Sequence, residues 1–333
     1  MKIYNSLDDI DFSFDTCVTI GNFDGVHRGH QTLIKKTIEY SKKNNLKSVV
    51  FTFSNHPVNY FKPGYVKNII SQKEKAEIIE RMGIDIYISV PFDSSMTQIS
   101  PEEYVDNILV NKLHVKKMVI GHDFTFARKR EGNSDVLREL GKERGFGVEV
   151  VNPVLIDGKR VSSTEIRKVI SEGKVAAAEN LIGRYFAVEG TVIKGRQIGR
   201  TIGFPTANIQ YDNKMVIPKI GIYATLAVID GEVFCGATSI GTNPTVNGKY
   251  LSIETYVLNL DEDLYGKKMR IEFVERMRDE EKFDSTEALK AQLSKDVEYV
   301  RKNYVNVLKG MMAPSKDFNL QIRNIRKYLK LKK

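Results

Sequence analysis

Short apolar runs alternate with longer amphipathic ones through the first half of the chain, and that alternation leaves few folds open. CVTIG (17–21), KSVVFTF (47–53), DIYISV (85–90), KKMVIG (116–121) and GVEVVNPV (147–154) read as strands. Between the first four lie QTLIKKTIEYSKKN (31–44), SQKEKAEIIERMG (71–83) and PEEYVDNILVNKL (101–113), each with helical spacing. Gly83 stands where a glycine ends a helix, and Pro101 suits a first helical position. Strands separated by helices form a parallel sheet wrapped by those helices. In such sheets ligands bind beyond the carboxyl ends of the strands.

The texture changes near residue 184. STEIRKVISEG and KVAAAENLIG read as two short helices ending at Gly173 and Gly183. After them YFAVEGTVIKG, GIYATLAVIDGEVFCGATSIG, SIETYVLNL and KKMRIEFVERM are β-rich runs joined by turns, with Asp230-Gly231 as a hairpin signal. This second part is expected to be a small antiparallel barrel. A last helix is expected from Asp284, with Glu287 three residues on in a capping box and Leu289, Leu293, Val297 and Val300 as its buried stripe. The expected domains are 1–184, 185–304 and a basic tail, 305–333. Phe318, Ile322, Ile325 and Leu329 give that tail helical spacing.

With 333 residues, two domains are the default. Residues 305–333 hold eight Lys or Arg and one Asp, +7 of the net +9, which leaves +2 for the other 304 residues. The body is nearly balanced, so the charge is no argument for a nucleic-acid-binding body. Nucleic acid is not an expected partner except through the tail. No apolar run is long enough to span a membrane, and the N-terminus lacks a secretory pattern. Cys17 and Cys235 fall in different expected domains, so no structural disulfide is expected, which fits a cytoplasmic protein. A monomer or weak oligomer is expected.

GNFDGVHRGH (21–30) follows a strand and precedes a helix, at the ligand end of the first βα unit. Helix N-termini attract phosphate, and Gly21, Gly25 and Gly29 let backbone approach an anion. His27 and His30 can donate to phosphate oxygens as charge grows during transfer. The stretch is neither a P-loop nor a Rossmann G-x-G-x-x-G.

It resembles the H-x-G-H signature of the nucleotidyltransferase superfamily, and G-x-F-D-G before the first histidine resembles the flavin adenylyltransferase branch. VSSTEIR (161–167) is similar to that branch's I-S-S-T-x-I-R element. The resemblance implies nucleotide or phosphate binding by Gly21, Asn22, Phe23, Asp24, Gly29, Ser162, Ser163, Thr164 and Arg167, with Asn22 and Asp24 shaping the nucleotide pocket. VIGHDFTFARKREGN (119–133) resembles the family's D-F-x-F-G turn, which places Asp123 and Phe124 near adenine or flavin; Ala127 stands where the family has Gly. FTFSNHP (51–57) resembles T-F-x-P-H-P, with Asn55 in place of the first Pro and His56 as a candidate contact.

GRQIGRTIGFPTAN (195–208) joins a glycine-rich loop to PTAN and resembles the riboflavin kinase domain, a six-stranded barrel. Gly195, Gly199 and Gly203 can fold over phosphates, with Arg200 adding charge and Pro205 within the motif. Thr206 and Asn208, two residues apart, put oxygens on one face of a strand, suited to Mg²⁺ with ATP. The resemblance places the general base at Glu254 in ETYVLN, and a flavin or nucleotide contact at Arg278 in MRDEEKF. GTNPTV (241–246) resembles a family loop and has no assigned role.

The resemblance covers residues 14–304. It implies a bifunctional riboflavin kinase and FMN adenylyltransferase of the prokaryotic type. Riboflavin, FMN and ATP would be the substrates, with Mg²⁺ as cofactor and FMN and FAD as products. The alternatives are that one domain is active and the other regulatory, or that a nucleotidyltransferase-like fold binds nucleic acid.

Overall fold

The computed structural model describes residues 1–195, 197–245 and 248–305. The expected tail helix lies outside them, as does Val246 of GTNPTV. The chain divides into two compact units, residues 1–165 and 166–333.

The first unit is built on a parallel sheet of β1 (Lys2–Tyr4), β2 (Thr16–Ile20), β3 (Lys47–Phe53), β4 (Ile86–Val90), β5 (Val115–Gly121) and β6 (Gly147–Val151). Their spatial order is β1-β4-β3-β2-β5-β6, and all five pairings are parallel. Every residue of β2 and β4 is buried, the pattern of strands covered on both faces. The order runs outward in both directions from β2 and β5. A crevice therefore opens between their carboxyl ends, where open α/β sheets bind ligands. The core behind it gathers Val18, Ile20, Val49, Phe51, Ile88, Met118 and Ile120.

Helix α1 (Arg28–Lys43) follows β2, and α2 (Pro57–Phe61) and α3 (Gln72–Met82) follow β3. Ser71 caps α3, and Gly83 ends it in the left-handed conformation. After β4 come α4 (Ser94–Gln98) and α5 (Pro101–Glu103), which continues as a wide π turn, Tyr104–Val110. Ser100 and Glu103 form a reciprocal capping box at its start. The sequence reading gives no helix between residues 122 and 146. The structure has α6 (Ser134–Arg144), capped by Asn133, whose side chain accepts from the Asp135 and Val136 amides. A short hairpin, β7 (Leu155–Ile156) and β8 (Lys159–Arg160), leads into α7 (Ser163–Ser171) and α8 (Val175–Ile182).

The second unit holds the expected barrel. Strands β9 (Phe186–Ile193), β10 (Ala207–Tyr211), β11 (Gly221–Ile229), β12 (Glu232–Thr245), β13 (Gly248–Val257) and β14 (Lys268–Arg278) close in the order β10-β13-β12-β11-β14-β9. All pairings are antiparallel. Asp230 (φ 48°) and Gly231 (φ 88°) form the β11–β12 turn, both left-handed as a type I′ turn requires. Helix α9 (Ile198–Thr201) sits in the glycine-rich loop, and α10 (Thr286–Val300) follows the last strand. Its cap is Ser285, not Asp284: the Ser285 hydroxyl accepts from the Ala288 amide. Val297 and Val300 are buried as expected, while Leu289 and Leu293 are half-buried. A buried hydroxyl relay crosses three strands. Thr225 donates to the Gly236 carbonyl, so Thr238 donates to Thr225 and Thr255 to Thr238, each at 2.8 Å.

Cys17 and Cys235 are free and buried, and burial pushes both thiols up to about 12. Both therefore stay protonated and unreactive at neutral pH. No described helix is long and apolar enough to cross a membrane.

Residues 126–132 form a loop closed by two bonds between the Phe126 and Gly132 backbones, 3.0 and 3.1 Å long. Ala127 lies within it at φ 64°, ψ −176°, a region essentially reserved for glycine. Such a conformation costs an alanine about 1–3 kcal/mol, against roughly 0.5–1 kcal/mol lost when glycine orders. Ala127→Gly is therefore expected to stabilise the first unit by about 1 kcal/mol. Its denaturant unfolding midpoint should rise at unchanged slope.

Candidate active sites

The turn between β2 and α1 is held from below. Phe23 (φ 49°), Gly25 (φ 83°) and Val26 (φ 36°) are left-handed, three within four residues. The side chains of Phe23 and Val26 are wholly buried and anchor the turn in the core. Asp24 is buried as well. Its carboxylate accepts from the Ile69 amide at 3.0 and 3.1 Å and from the Ile70 amide at 3.3 Å. The Asp24 carboxylate is thus a brace for the turn.

His27 caps α1, its Nδ1 accepting from the His30 amide at 3.3 Å. A ring nitrogen that accepts carries no proton, so neutral His27 is protonated on Nε2. The two imidazoles stack, with centroids 3.5 Å apart and planes 18° apart. The Phe23 ring meets His30 edge-on at 5.1 Å. Gly29 makes the stack possible, because a Cβ there would lie 3.2 Å from the His27 ring. His27 is buried and His30 half-buried, and the contacts with each other and with Phe23 orient the pair.

The serine element comes to the same turn. The Ser163 hydroxyl donates to the Asp24 carbonyl at 3.0 Å. Ser162 Oγ accepts from the Glu165 amide at 3.2 Å, which makes it the cap of the α7 first turn. Both side chains are used structurally, and what this helix start offers an anion is its backbone amides and the exposed Thr164. Arg167 follows one turn later on α7.

Asp123 follows β5. Burial acts to raise its carboxyl, but the hydrogen bond and charge of Arg160 outweigh that and hold it below its usual range. The Arg160 Nη2 to Asp123 Oδ2 distance is 2.6 Å, which clips the β7–β8 hairpin to the end of β5. Phe124 stacks on Phe126 at 5.6 Å. His56 is the cap of α2, its Nδ1 accepting from the Val58 amide at 3.2 Å. Asn55 binds the Phe92 backbone twice, accepting from its amide at 2.6 Å and donating to its carbonyl at 2.9 Å.

Two features escape the sequence reading. Asn22, Asp24, Phe53, Asn55, His56 and Lys75 are among the walls of a small open cleft. Lys75 is 3% exposed, and burial lowers its ammonium to about 8 against the opposing pull of Asp24. Beside the cleft, Phe53, Tyr60 and Phe61 gather around Phe92 with centroids 5.1–6.3 Å from it. Phe61 remains 66% exposed. A buried lysine on an amphipathic helix has no sequence signature. The aromatics come from separate segments that only the sheet brings together.

In the second unit, Asn208 on β10 pairs in register with Glu254 on β13, which in turn pairs with Ser239 on β12. Thr206 Oγ1 donates to Glu254 Oε2 at 3.4 Å. Gly195 lies directly on the Asn208 carboxamide, where a Cβ would come within 2.4 Å. Gly199, Arg200 and Gly203 form and end the single turn α9, and the exposed Pro205 leads into β10. Among the described residues no cluster of three His, Cys, Asp or Glu is placed to hold a metal. The oxygens of Thr206, Asn208 and Glu254 are hard donors of the kind Mg²⁺ takes when phosphates complete its shell, so the residues fit that ion. Arg278 is engaged elsewhere. Nε and Nη2 bind both oxygens of Asp296 at 3.0 and 2.7 Å, and Nη1 donates to the Asp279 carbonyl. It fastens α10 to β14 with three of the five N–H groups of its fork.

Comparison with known proteins finds a match for each half of the chain. The family model for FAD synthetase matches residues 10–165, and that for riboflavin kinase matches residues 182–304. A bifunctional riboflavin kinase/FMN adenylyltransferase of Haemophilus influenzae is 38% identical over 84% of this chain and 92% of its own. One of Listeria monocytogenes is 39% identical over 85% of this chain and 91% of its own. A crystal structure described as a macrolide-efflux protein from Streptococcus pneumoniae is 29% identical, with a TM-score of 0.84, over 90% of this chain and 98% of that one. The two family models and these relatives place the chain in the bifunctional riboflavin kinase/FMN adenylyltransferase family.

Proposed function

We propose that this riboflavin kinase and FMN adenylyltransferase divides its two reactions between the parallel-sheet unit and the barrel, with a boundary near residue 184. The barrel phosphorylates riboflavin, and the first unit joins the product to AMP. The division is supported by the separate matches of the two family models.

In the first unit the FMN phosphate attacks the α-phosphate of ATP, and FAD and pyrophosphate leave. No covalent enzyme intermediate is required. His27, through Nε2–H, and His30 donate to the phosphate oxygens that gain charge at the pentacoordinate stage. The amides at the start of α7 and the Arg167 guanidinium take the pyrophosphate. Gly21, Asn22 and Gly29 let the nucleotide approach the turn. The observation that carries this reading is the stacked histidine pair at the crevice, tied to the start of α7 through Asp24 and Ser163. The cluster of Phe53, Tyr60, Phe61 and Phe92 suits a flat aromatic ring system, and we assign the flavin ring to it. Asp123 and Phe124 flank the opposite side of the crevice.

In the barrel, Glu254 takes the proton from the riboflavin 5′-hydroxyl as it attacks the γ-phosphate of ATP. The glycine-rich loop and Arg200 cover the phosphates. Thr206 and Asn208 would hold Mg²⁺, which neutralises phosphate charge when bound. Positioning and charge neutralisation do most of the work in such transfers. The two buried free thiols support a reducing, cytoplasmic compartment.

Incubated with riboflavin, ATP and Mg²⁺, the protein should form FMN first and FAD after it, resolved by chromatography over time. Glu254→Ala should slow FMN formation by about 10²–10⁴-fold and leave adenylylation of added FMN unchanged. His30→Ala should do the reverse, by about 10²–10³-fold. Loss of both activities in either variant would contradict the two-site assignment. FMN as the sole product would favour a single active domain.

Thr206→Val tests the metal assignment. The Mg²⁺ concentration that half-saturates riboflavin phosphorylation should rise about tenfold or more. An unchanged requirement would remove Thr206 from the metal site.

A further inference from the structure

We infer that Lys75 is a positioning residue for FMN adenylylation, its buried ammonium clamping the Asn22 carbonyl of the histidine turn to the end of β3. The inference rests on the adenylyltransferase reading of the first unit. Lys75 belongs to α3, and neither the turn nor the serine element points to it in sequence.

The hydrogen bonds define the role. Lys75 Nζ donates to the Asn22 carbonyl, the Thr52 hydroxyl and the Phe53 carbonyl, each at 3.1 Å. An ammonium has three N–H donors, and three protein oxygens take them. No donor is left for a substrate oxygen, although the residue borders the cleft. A lysine that bound phosphate would leave N–H groups facing the ligand. This one spends them on the scaffold. The Thr52 hydroxyl accepts from Lys75 and donates to the same Asn22 carbonyl at 3.1 Å. The bonds thus form a closed ring of Lys75, Thr52 and Asn22. The Gly21 amide donates to the Phe51 carbonyl at 3.1 Å, one residue earlier on each segment. Together these bonds set the height of the turn above the sheet. The stacked histidines follow it within a few residues, and a shift of about 1 Å at a reacting centre is enough to lose two orders of magnitude in rate.

The ring needs the charged form. A neutral amine has two N–H groups and a lone pair, so one of the three oxygens would face that lone pair. Burial draws the Lys75 pKa down to about 8, and Asp24 works to raise it. Asp24, from the turn, and His56, from the start of α2, are the ionisable groups that share the cleft with it. On its own helix, Lys73, Glu74 and Glu77 are its charged neighbours in sequence. As pH rises through about 8, the clamp loses its proton and adenylylation slows. Stability moves the other way. Between about pH 8 and the ordinary lysine value of 10.5, the unfolded chain binds the extra proton, so this group's contribution to stability rises with pH. Unfolding through this group therefore does not account for an alkaline loss of adenylylation.

The test compares the full-length protein with Lys75→Met and Thr52→Val, measuring FAD formation from FMN and ATP. Riboflavin phosphorylation by the same molecules serves as the internal reference. At pH 7 the proposal expects kcat for adenylylation to fall about tenfold or more in Lys75→Met and about threefold in Thr52→Val, with KM for ATP and FMN within about threefold of the parent. The parent's kcat should fall with a midpoint near pH 8, and Lys75→Met should lack that step. Three results would overturn the proposal. One is a kcat within about twofold of the parent in both variants. Another is a tenfold rise in KM at constant kcat, which would make Lys75 a substrate ligand. The third is the same alkaline step persisting in Lys75→Met. If Lys75→Met lacks the first unit's thermal transition, the volume-conserving Thr52→Val decides by the same kcat criterion. A parent that makes no FAD would sink the adenylyltransferase reading and this inference with it. FAD from the parent with unaffected variants would sink this inference alone.

Discussion

Asp24 sets the stage for the chemistry of the first unit. Three of four successive residues in the turn it occupies adopt left-handed backbone, and two of them, Phe23 and Val26, carry bulky side chains. Left alone, such a segment would relax. The buried carboxylate of Asp24 binds the amides of Ile69 and Ile70 across the turn, and its own carbonyl accepts from Ser163. One residue thus joins the turn, the segment before α3 and the start of α7. The His27–His30 stack and the serine element converge because of that join. Replacing this carboxylate would leave two buried amides without their partner, and a buried unsatisfied donor costs about 1–3 kcal/mol.

The barrel solves a related problem with different means. The residues proposed for its chemistry, Asn208 and Glu254, lie on adjacent strands, where register aligns them. No buried carboxylate is needed, since a closed antiparallel ladder fixes side-chain spacing by itself. What the barrel cannot fix is the glycine-rich loop, and there the close packing of Gly195 on Asn208 takes over.

Much of this was legible in the sequence. Strand and helix periods located the parallel sheet, Gly83 marked the end of α3, and Asp230-Gly231 marked a barrel turn. Those signals are local, with the physics contained in a few adjacent residues. What the sequence leaves out is mostly tertiary. Arg278 reads as a ligand contact, and nothing near it in sequence announces its pairing with Asp296, on a later helix, at 2.7 Å. Lys75 carries no local signal, and the three oxygens that surround it come from other segments. Helix α6, absent from the sequence reading, carries a glycine at 141 within its span. The structure shows why glycine stands there: a Cβ would lie 2.9 Å from the Phe146 backbone.

Two departures from the family pattern show how differently one substitution can be absorbed. Where the family has proline, Asn55 binds both backbone groups of Phe92 and ties the end of β3 to the segment after β4. The ring's rigidity is replaced by two hydrogen bonds, and a carboxamide can make both because it is donor and acceptor at once. Ala127 has no such resource. Its methyl group packs against the core, but nothing a methyl can do relieves a backbone at φ 64°, ψ −176°. The surrounding loop must hold it, through the Phe126–Gly132 bonds and the bond from the Arg128 amide to the Ile99 carbonyl. A polar side chain can substitute for a conformational constraint by making bonds. An apolar one in a forbidden region transfers the cost to its neighbours, and here those neighbours include Phe124 and Phe126, the stacked pair beside the crevice.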